Sequence, residues 1–163
     1  GVEISFAPVQ NASSYEIYRS VKGAAPVKIA TVNQSSYLDE QPVGGKTLTY
    51  TVVAVSGQSA YTNSAISAGA SVTLPKTVSK FKAKAVKGGA KITFKKVKGA
   101  KNYIILRATK KNGPYKKIKT LKAKQTSYTD KKAKKGFNYY KVVAKKGKTY
   151  SPATKTKKVK VKK

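Results

Sequence analysis

Cysteine, methionine, tryptophan and histidine are all absent from the chain. Without cysteine there is no disulfide framework, no zinc–thiolate cluster and no thiol nucleophile. Without histidine the commonest general base is missing too, so acid–base chemistry would fall to carboxylates alone. Those are scarce: five Asp and Glu stand against thirty-six Lys and Arg, a formal net charge of +31. No stretch approaches the ~18 apolar residues of a membrane span. Without an initiating Met the chain is expected to be a processed product or an excised piece, with no signal peptide expected ahead of Gly1. The lack of cysteine suits a secreted protein as well as a cytosolic one.

What is present is a repeat. Tyr15–Arg19 (YEIYR) returns as Tyr103–Arg107 (YIILR), and each copy sits in the same longer pattern. Ile4–Phe6 and Ile92–Phe94 precede it at matching spacing; Ile29–Val32 and Ile118–Leu121 follow. Next come Gln34–Asp39 (QSSYLD) and Gln125–Asp130 (QTSYTD), then Tyr50–Ala54 (YTVVA) and Tyr140–Ala144 (YKVVA). The offset stays between 88 and 91 residues, so one unit has been duplicated. The boundary falls at Leu74–Pro75, giving units over residues 1–75 and 76–163 joined by a short junction with no Gly/Ser linker. Each half approaches the size at which an antiparallel sandwich forms its own core.

Period-2 alternation dominates both halves, and apolar residues do not recur at helical spacing. Val2, Ile4 and Phe6 form one inward row; Tyr15, Ile17 and Arg19 a second; Leu48, Tyr50, Val52 and Ala54 a third. A strand is expected over Val27–Val32, a short strand or a corner at Tyr37, and an edge strand over Tyr61–Leu74. In the second unit Phe81, Ala83 and Ala85 alternate with Lys80, Lys82 and Lys84. Ile92, Phe94, Tyr103, Ile105, Ile118, Tyr128, Tyr140, Val142 and Ala144 then repeat the core, and Val159 and Val161 finish it. The fold class is all-β. The four tyrosines Tyr15, Tyr50, Tyr103 and Tyr140 are expected in the two cores rather than on a stacking surface.

This order of elements resembles fibronectin type III domains, over nearly the whole chain, and most of all the lysine-rich versions in extracellular and cell-wall proteins of Gram-positive bacteria. The resemblance implies two tandem immunoglobulin-like (fibronectin type III) β-sandwiches. Phe6 and Phe94 replace the family's strand-B tryptophan. Its corner tyrosine falls at Leu48 and Asn138, so that corner is either missing or supplied by Tyr139 in a shifted register. No Arg-Gly-Asp loop is present, so integrin-type adhesion does not carry over. The second unit has nineteen residues from Pro75 to Thr93, but only Gly1–Ser5 precede the equivalent Phe6. The first sandwich is therefore expected to lack its N-terminal strand, with upstream residues or another chain supplying it.

Charge separates the two repeats. Residues 1–75 hold four bases (Arg19, Lys22, Lys28, Lys46) and four acids (Glu3, Glu16, Asp39, Glu40). The other thirty-two bases face one acid, Asp130, so the whole +31 belongs to residues 76–163. Glu3 and Glu16 occupy outward strand positions, and Asp39 and Asp130 are expected to be solvated turn residues closing loops by Asx-type bonds. No enzyme is implied, and no cofactor or metal site. Lysines on outward positions discourage edge-to-edge pairing, but that does not account for a charge whose self-repulsion is costly. The sharper account is a polyanion held at Lys80, Lys82, Lys84, Lys116, Lys117, Lys141, Lys145, Lys146, Lys158 and Lys160. Lysine lacks the bidentate fork of arginine, so such binding would be charge-driven and poorly specific. Ile104, Leu106, Tyr139 and Val143 form either an exposed apolar interaction patch or a surface crossed by lysine stems.

The expected function is thus a non-catalytic extracellular spacer/anchor pair, secreted or wall-associated. Its partners would be an anionic cell-wall polymer or acidic glycan, and nucleic acid only non-specifically. Two alternatives stand beside it: a carbohydrate-binding accessory region of a larger secreted glycosidase, and a surface-filament subunit assembling with copies of itself by strand donation or through the apolar patch.

Overall fold

A computed structural model of the chain describes residues 1–162; Lys163, on which the second expected unit ends, lies outside them. The chain divides into two compact units, Gly1–Leu74 and Pro75–Lys163. Every regular element among the described residues is a β-strand.

The second unit is the fuller sandwich. To number in chain order, the first unit holds β1 (Val2–Ser5), β2 (Ala12–Val21), β3 (Val27–Val32), β4 (Ser36–Asp39), β5 (Thr47–Ser56) and β6 (Ala70–Thr73). The second holds β7 (Lys82–Val86), β8 (Gly89–Thr93), β9 (Asn102–Ala108), β10 (Lys116–Lys122), β11 (Ser127–Asp130), β12 (Gly136–Lys146), β13 (Thr149–Tyr150) and β14 (Lys157–Val161). Its strands pair antiparallel in two sheets, β7-β8-β11 and β10-β9-β12, with β13 and β14 both pairing β12. That is the strand order of a fibronectin type III sandwich: first, second and fifth strands against fourth, third, sixth and last. The first unit repeats it as β1-β4 and β3-β2-β5-β6. Here β1 pairs only β4, whereas β8 is paired on both sides by β7 and β11. Among the described residues the first unit therefore lacks the counterpart of β7.

Alternation decides which side chains go inside. Ile92, Tyr103, Ile105, Tyr140, Val142 and Ala144 are fully buried, and Phe81, Phe94, Val159 and Val161 join them in one continuous cluster of sixteen buried residues. The first unit has the same rows, but its buried residues fall into two small groups, around Tyr15, Ile17 and Ala54 and around Leu48, Tyr50 and Leu74. Tyr15 and Tyr103 play one role twice. Their rings lie 4.8 and 4.7 Å from Phe6 and Phe94, and their hydroxyls accept the amides of Val9 and Val97 at 2.9 and 2.8 Å.

Two expectations need correction, and one left open is decided. Only Ala70–Thr73 of the Tyr61–Leu74 edge is a strand, and the matching edge of the second unit is split into β13 and β14. In both gaps a hydroxyl stands where a ladder carbonyl would. The amides of Val52 and Ala54 donate to the hydroxyls of Ser67 and Ser64, and those of Val142 and Ala144 to Thr154 and Ser151. Each of these Ser or Thr residues returns its own amide to the same partner's carbonyl at 2.8 to 3.0 Å. Ala85, expected inward, is exposed near the end of β7. Last, Tyr139 does not supply the corner. Asn138, fully buried, occupies it: its Oδ1 accepts the Lys134 amide at 3.2 Å, and its Nδ2 donates to the Lys134 and Gly136 carbonyls at 2.7 and 3.2 Å. Leu48, the counterpart in the first unit, is buried with no polar group to do this.

Candidate anion-binding surface

The only acid of the second unit is already committed. Asp130 is 1% exposed, and its Oδ2 accepts from Arg107 Nη1 at 2.8 Å and from the Tyr140 hydroxyl at 2.9 Å. Its Oδ1 takes the amide of Lys132 at 3.0 Å, the Asx-type bond expected of it. The first unit repeats the cluster: Asp39 accepts from Arg19 Nη1 at 2.7 Å, from the Tyr50 hydroxyl at 2.8 Å and from the Gln41 amide at 3.0 Å. Asp39 and Asp130 are thus not solvated turn residues but buried joints between the two sheets. Burial first, and then the hydrogen bond to the carboxylate, push the Tyr50 and Tyr140 phenols well above their usual range. A sequence signal for this existed: the chain's two arginines fall on equivalent positions in a protein that otherwise uses lysine. A two-pronged donor to carboxylate and backbone is what lysine cannot replace.

With Asp130 paired to Arg107, the lysines of the second unit have no carboxylate of that unit left to face. Cross-strand neighbours share a side of the sheet, so register locates them. On the outer face of the larger sheet Leu106 lies between Lys117 on β10 and Lys141 on β12, and Ile104 beside Val143. Lys158 opposes Tyr139, Lys160 opposes Phe137, and Lys145 opposes Tyr150. The same place in the first unit is neutral. There Glu16, the counterpart of Ile104, holds Lys28 at 2.7 Å and the Tyr18 hydroxyl at 2.6 Å. Those two bonds, to Lys28 and then Tyr18, draw the Glu16 pKa down. Replacing that glutamate by Ile104 leaves Lys117, the counterpart of Lys28, without its acid.

The proposed lysines do not form one cluster. Lys117, Lys141, Lys145, Lys158 and Lys160 share the larger sheet's outer face. Lys82 and Lys84 project from β7 in the other sheet, with Lys80 just before them, and Lys84 directly opposes Lys91. Lys116 pairs with Arg107, and Lys146 pairs with Thr149 at the β12–β13 turn. The four apolar residues are brought together but not bared: Val143 is buried, and Ile104, Leu106 and Tyr139 are half-buried. Lysines lie over the aromatic rings of this face. The Lys141 ammonium stands 4.3 Å from the centre of Tyr115, Lys158 and Lys160 stand 3.8 and 5.6 Å from Phe137, and Lys145 stands 5.2 Å from Tyr150. Each such contact contributes about 0.5–1 kcal/mol at an exposed site. Tyr115 is fixed across the face by a 3.0 Å hydrogen bond to Thr156. Tyr115 and Phe137, the latter 45% exposed, are aromatic rings of this face that alternation alone did not single out.

Among the described residues no group of three or more acidic, His or Cys side chains is placed to hold a metal, and no helix is long and apolar enough to cross a membrane.

No protein-family model and no curated protein sequence matches the chain. Among solved structures it is similar to an Fn3-like protein from Clostridium thermocellum, at 28% identity over 55% of this chain and 95% of that one, with a TM-score of 0.49. It is also similar to the FN1–FN3 domains of chicken CNTN1, at 15% identity and TM-score 0.49; that likeness takes in 99% of this chain and spans only 62% of the other. A two-domain fibronectin type III segment of chicken tenascin gives 13% identity over 94% and 87% of the two chains, with a TM-score of 0.47. The assignment of both units to the fibronectin type III sandwich rests on their strand order.

Proposed function

We propose that the chain is a non-catalytic pair of extracellular modules, secreted or wall-associated, in which the first unit is a spacer and the second anchors to anionic polymers of the cell surface or wall. One observation carries this reading: the second unit concentrates the whole +31, and its single acid is held by Arg107. Such a surface gathers condensed polyanions and releases their counterions, so affinity should fall steeply with salt. Because lysine rather than arginine supplies the charge, selectivity among polyanions should be low. The test is chromatography of residues 1–75 and 76–163 separately on immobilised heparin and on wall teichoic acid. The basic half should be retained and eluted by salt, and the neutral half should pass through. Equal retention of the two halves sinks the proposal.

One observation favours the carbohydrate-accessory alternative. Phe137 and Tyr150 are exposed aromatic rings, the kind of surface on which a sugar ring stacks. On a glycan array, hits that require sulfate or phosphate support the anchor, whereas neutral-sugar hits support the accessory role.

A further inference from the structure

Each unit carries a cleft at the same corner of its sandwich, beside the arginine and the bulged isoleucine of the fourth strand. In the first unit Arg19 and Ile29 line it together with Asp39 and Glu40. In the second, Arg107 and Ile118 line a cleft of about 300 Å³ with Lys116, Lys134, Thr109, Ala108 and Pro114. Arginine and isoleucine are shared and the balance of charge is opposite: two carboxylates beside Arg19 in one cleft, and in the other two lysines beside an Arg107 that is paired with Asp130.

We propose that the second unit's cleft is a preferred site for one tetrahedral oxyanion ester, a phosphate or sulfate group of the polymer. This rests on the polyanion reading above and names where the contact is strongest. Three features build the site. The guanidinium of Arg107 is fixed in place because both N–H groups of Nη1 are used, one by Asp130 and one by the Lys132 carbonyl at 2.7 Å. Its other donors have no protein partner among the described residues and remain for a ligand. Lys134 is positioned by the fully buried Asn138, which holds both its amide and its carbonyl. The first unit has Leu48 there and no such anchor. Lys116 pairs directly with Arg107 across the β9–β10 ladder, so the cations line one cleft from two strands and a loop. Thr109 adds a hydroxyl, while Ile118, Pro114 and Ala108 give an apolar wall suited to the carbon chain of a polymer. The lysines of β7 and β14, by contrast, lie along strand faces with no such wall beside them.

The test compares two full-length variants that each remove two positive charges, Lys116→Gln with Lys134→Gln, and Lys82→Gln with Lys84→Gln. All four side chains are exposed, so both variants should fold, and thermal melts confirm it. Binding is measured at matched salt to heparin, which carries sulfate esters, and to polyphosphate. The cleft variant should lose about tenfold more affinity than the β7 variant, as expected for charge-assisted hydrogen bonds within a pocket. The polymer showing the larger difference identifies the preferred oxyanion, sulfate or phosphate. In the wild-type chain, inorganic phosphate or sulfate at fixed ionic strength should shift the Thr109 and Ile118 amide resonances more than those of β7. Equal losses in the two variants, with the wild type still binding, overturn the cleft and leave the diffuse anchor standing. A wild type that binds neither polymer overturns both.

Discussion

Two side-chain donors and one backbone amide meet at each of Asp39 and Asp130, one set per unit, and each carboxylate ties together strands from both sheets. The tyrosine hydroxyls in these clusters bond an anion while buried, so losing their proton would break a hydrogen bond and set two negative charges together. Their folded pKa values are raised. Stability from such a group is complete below the unfolded phenol value near 10 and is lost as pH climbs from there toward the folded value. At about pH 8, Tyr140→Phe should be the less stable protein by roughly 1 kcal/mol, the net value of one hydrogen bond. Above about pH 10 the wild type should lose about 1.4 kcal/mol per pH unit relative to the variant, so the difference closes and reverses. Urea melts of both proteins across that range measure it; a constant difference would mean the Tyr140 hydroxyl is not held to an anion. A separate contrast checks the strand faces. Tyr103→Ala should cost about 3 kcal/mol or more, and Lys82→Ala should stay within about 0.5 kcal/mol. Denaturant midpoints ranking these the other way would invert the assignment of inward and outward rows.

At the scale of elements, the inward rows were legible because burial on one side imposes a period of two that no other local force mimics. Tyr103, Ile105, Tyr140 and Val142 fall where alternation puts them. What could not be read was where a ladder stops being a ladder. Ser64, Ser67, Ser151 and Thr154 look like polar edge residues in sequence, and their hydroxyls could equally face water. Only the structure shows them replacing carbonyls toward β5 and β12. Pro152 gives the reason on one side: it has no amide to offer a continuous ladder. Likewise the carboxylate clusters join an arginine and a tyrosine to an aspartate 10 to 23 positions away, which spacing alone does not connect. The proposed lysines were legible by type but not by grouping, since sheet membership decides whether two outward lysines are neighbours. Thr154 offers the sharpest test at this scale, being 5% exposed. Thr154→Val keeps the shape but leaves the buried Val142 amide without its acceptor, at a cost of about 1–3 kcal/mol. Thr154→Ser keeps the hydroxyl and should recover most of that loss. If valine proves neutral in thermal melts, the hydroxyl is not part of the pairing.

For the whole molecule, the two units oppose a larger core to a larger charge. The second has a continuous core and a β8 strand paired on both sides; the first has a divided core and a β1 strand paired on one side among the described residues. Packing alone would make the second unit the more stable. Its +31 works against that, because a compact body of one charge sign repels itself and the unfolded chain spreads the charges apart. Salt should separate these two effects. Between about 0.01 M and 1 M salt the screening length contracts from about 30 Å to about 3 Å, shorter than the distance across a domain. The unfolding transition of the second unit should therefore rise through this range. The first unit, net neutral with Glu16–Lys28 and Asp39–Arg19 pairs, should move little. Calorimetry of the full chain should show two transitions whose spacing widens with salt, the second unit melting last once its charges are screened. A heparin-saturated sample at low salt should show the same displacement, since a bound polyanion neutralises the charge and also favours the folded state by mass action. Transitions that move together would show that the charge of the second unit does not act on its own stability.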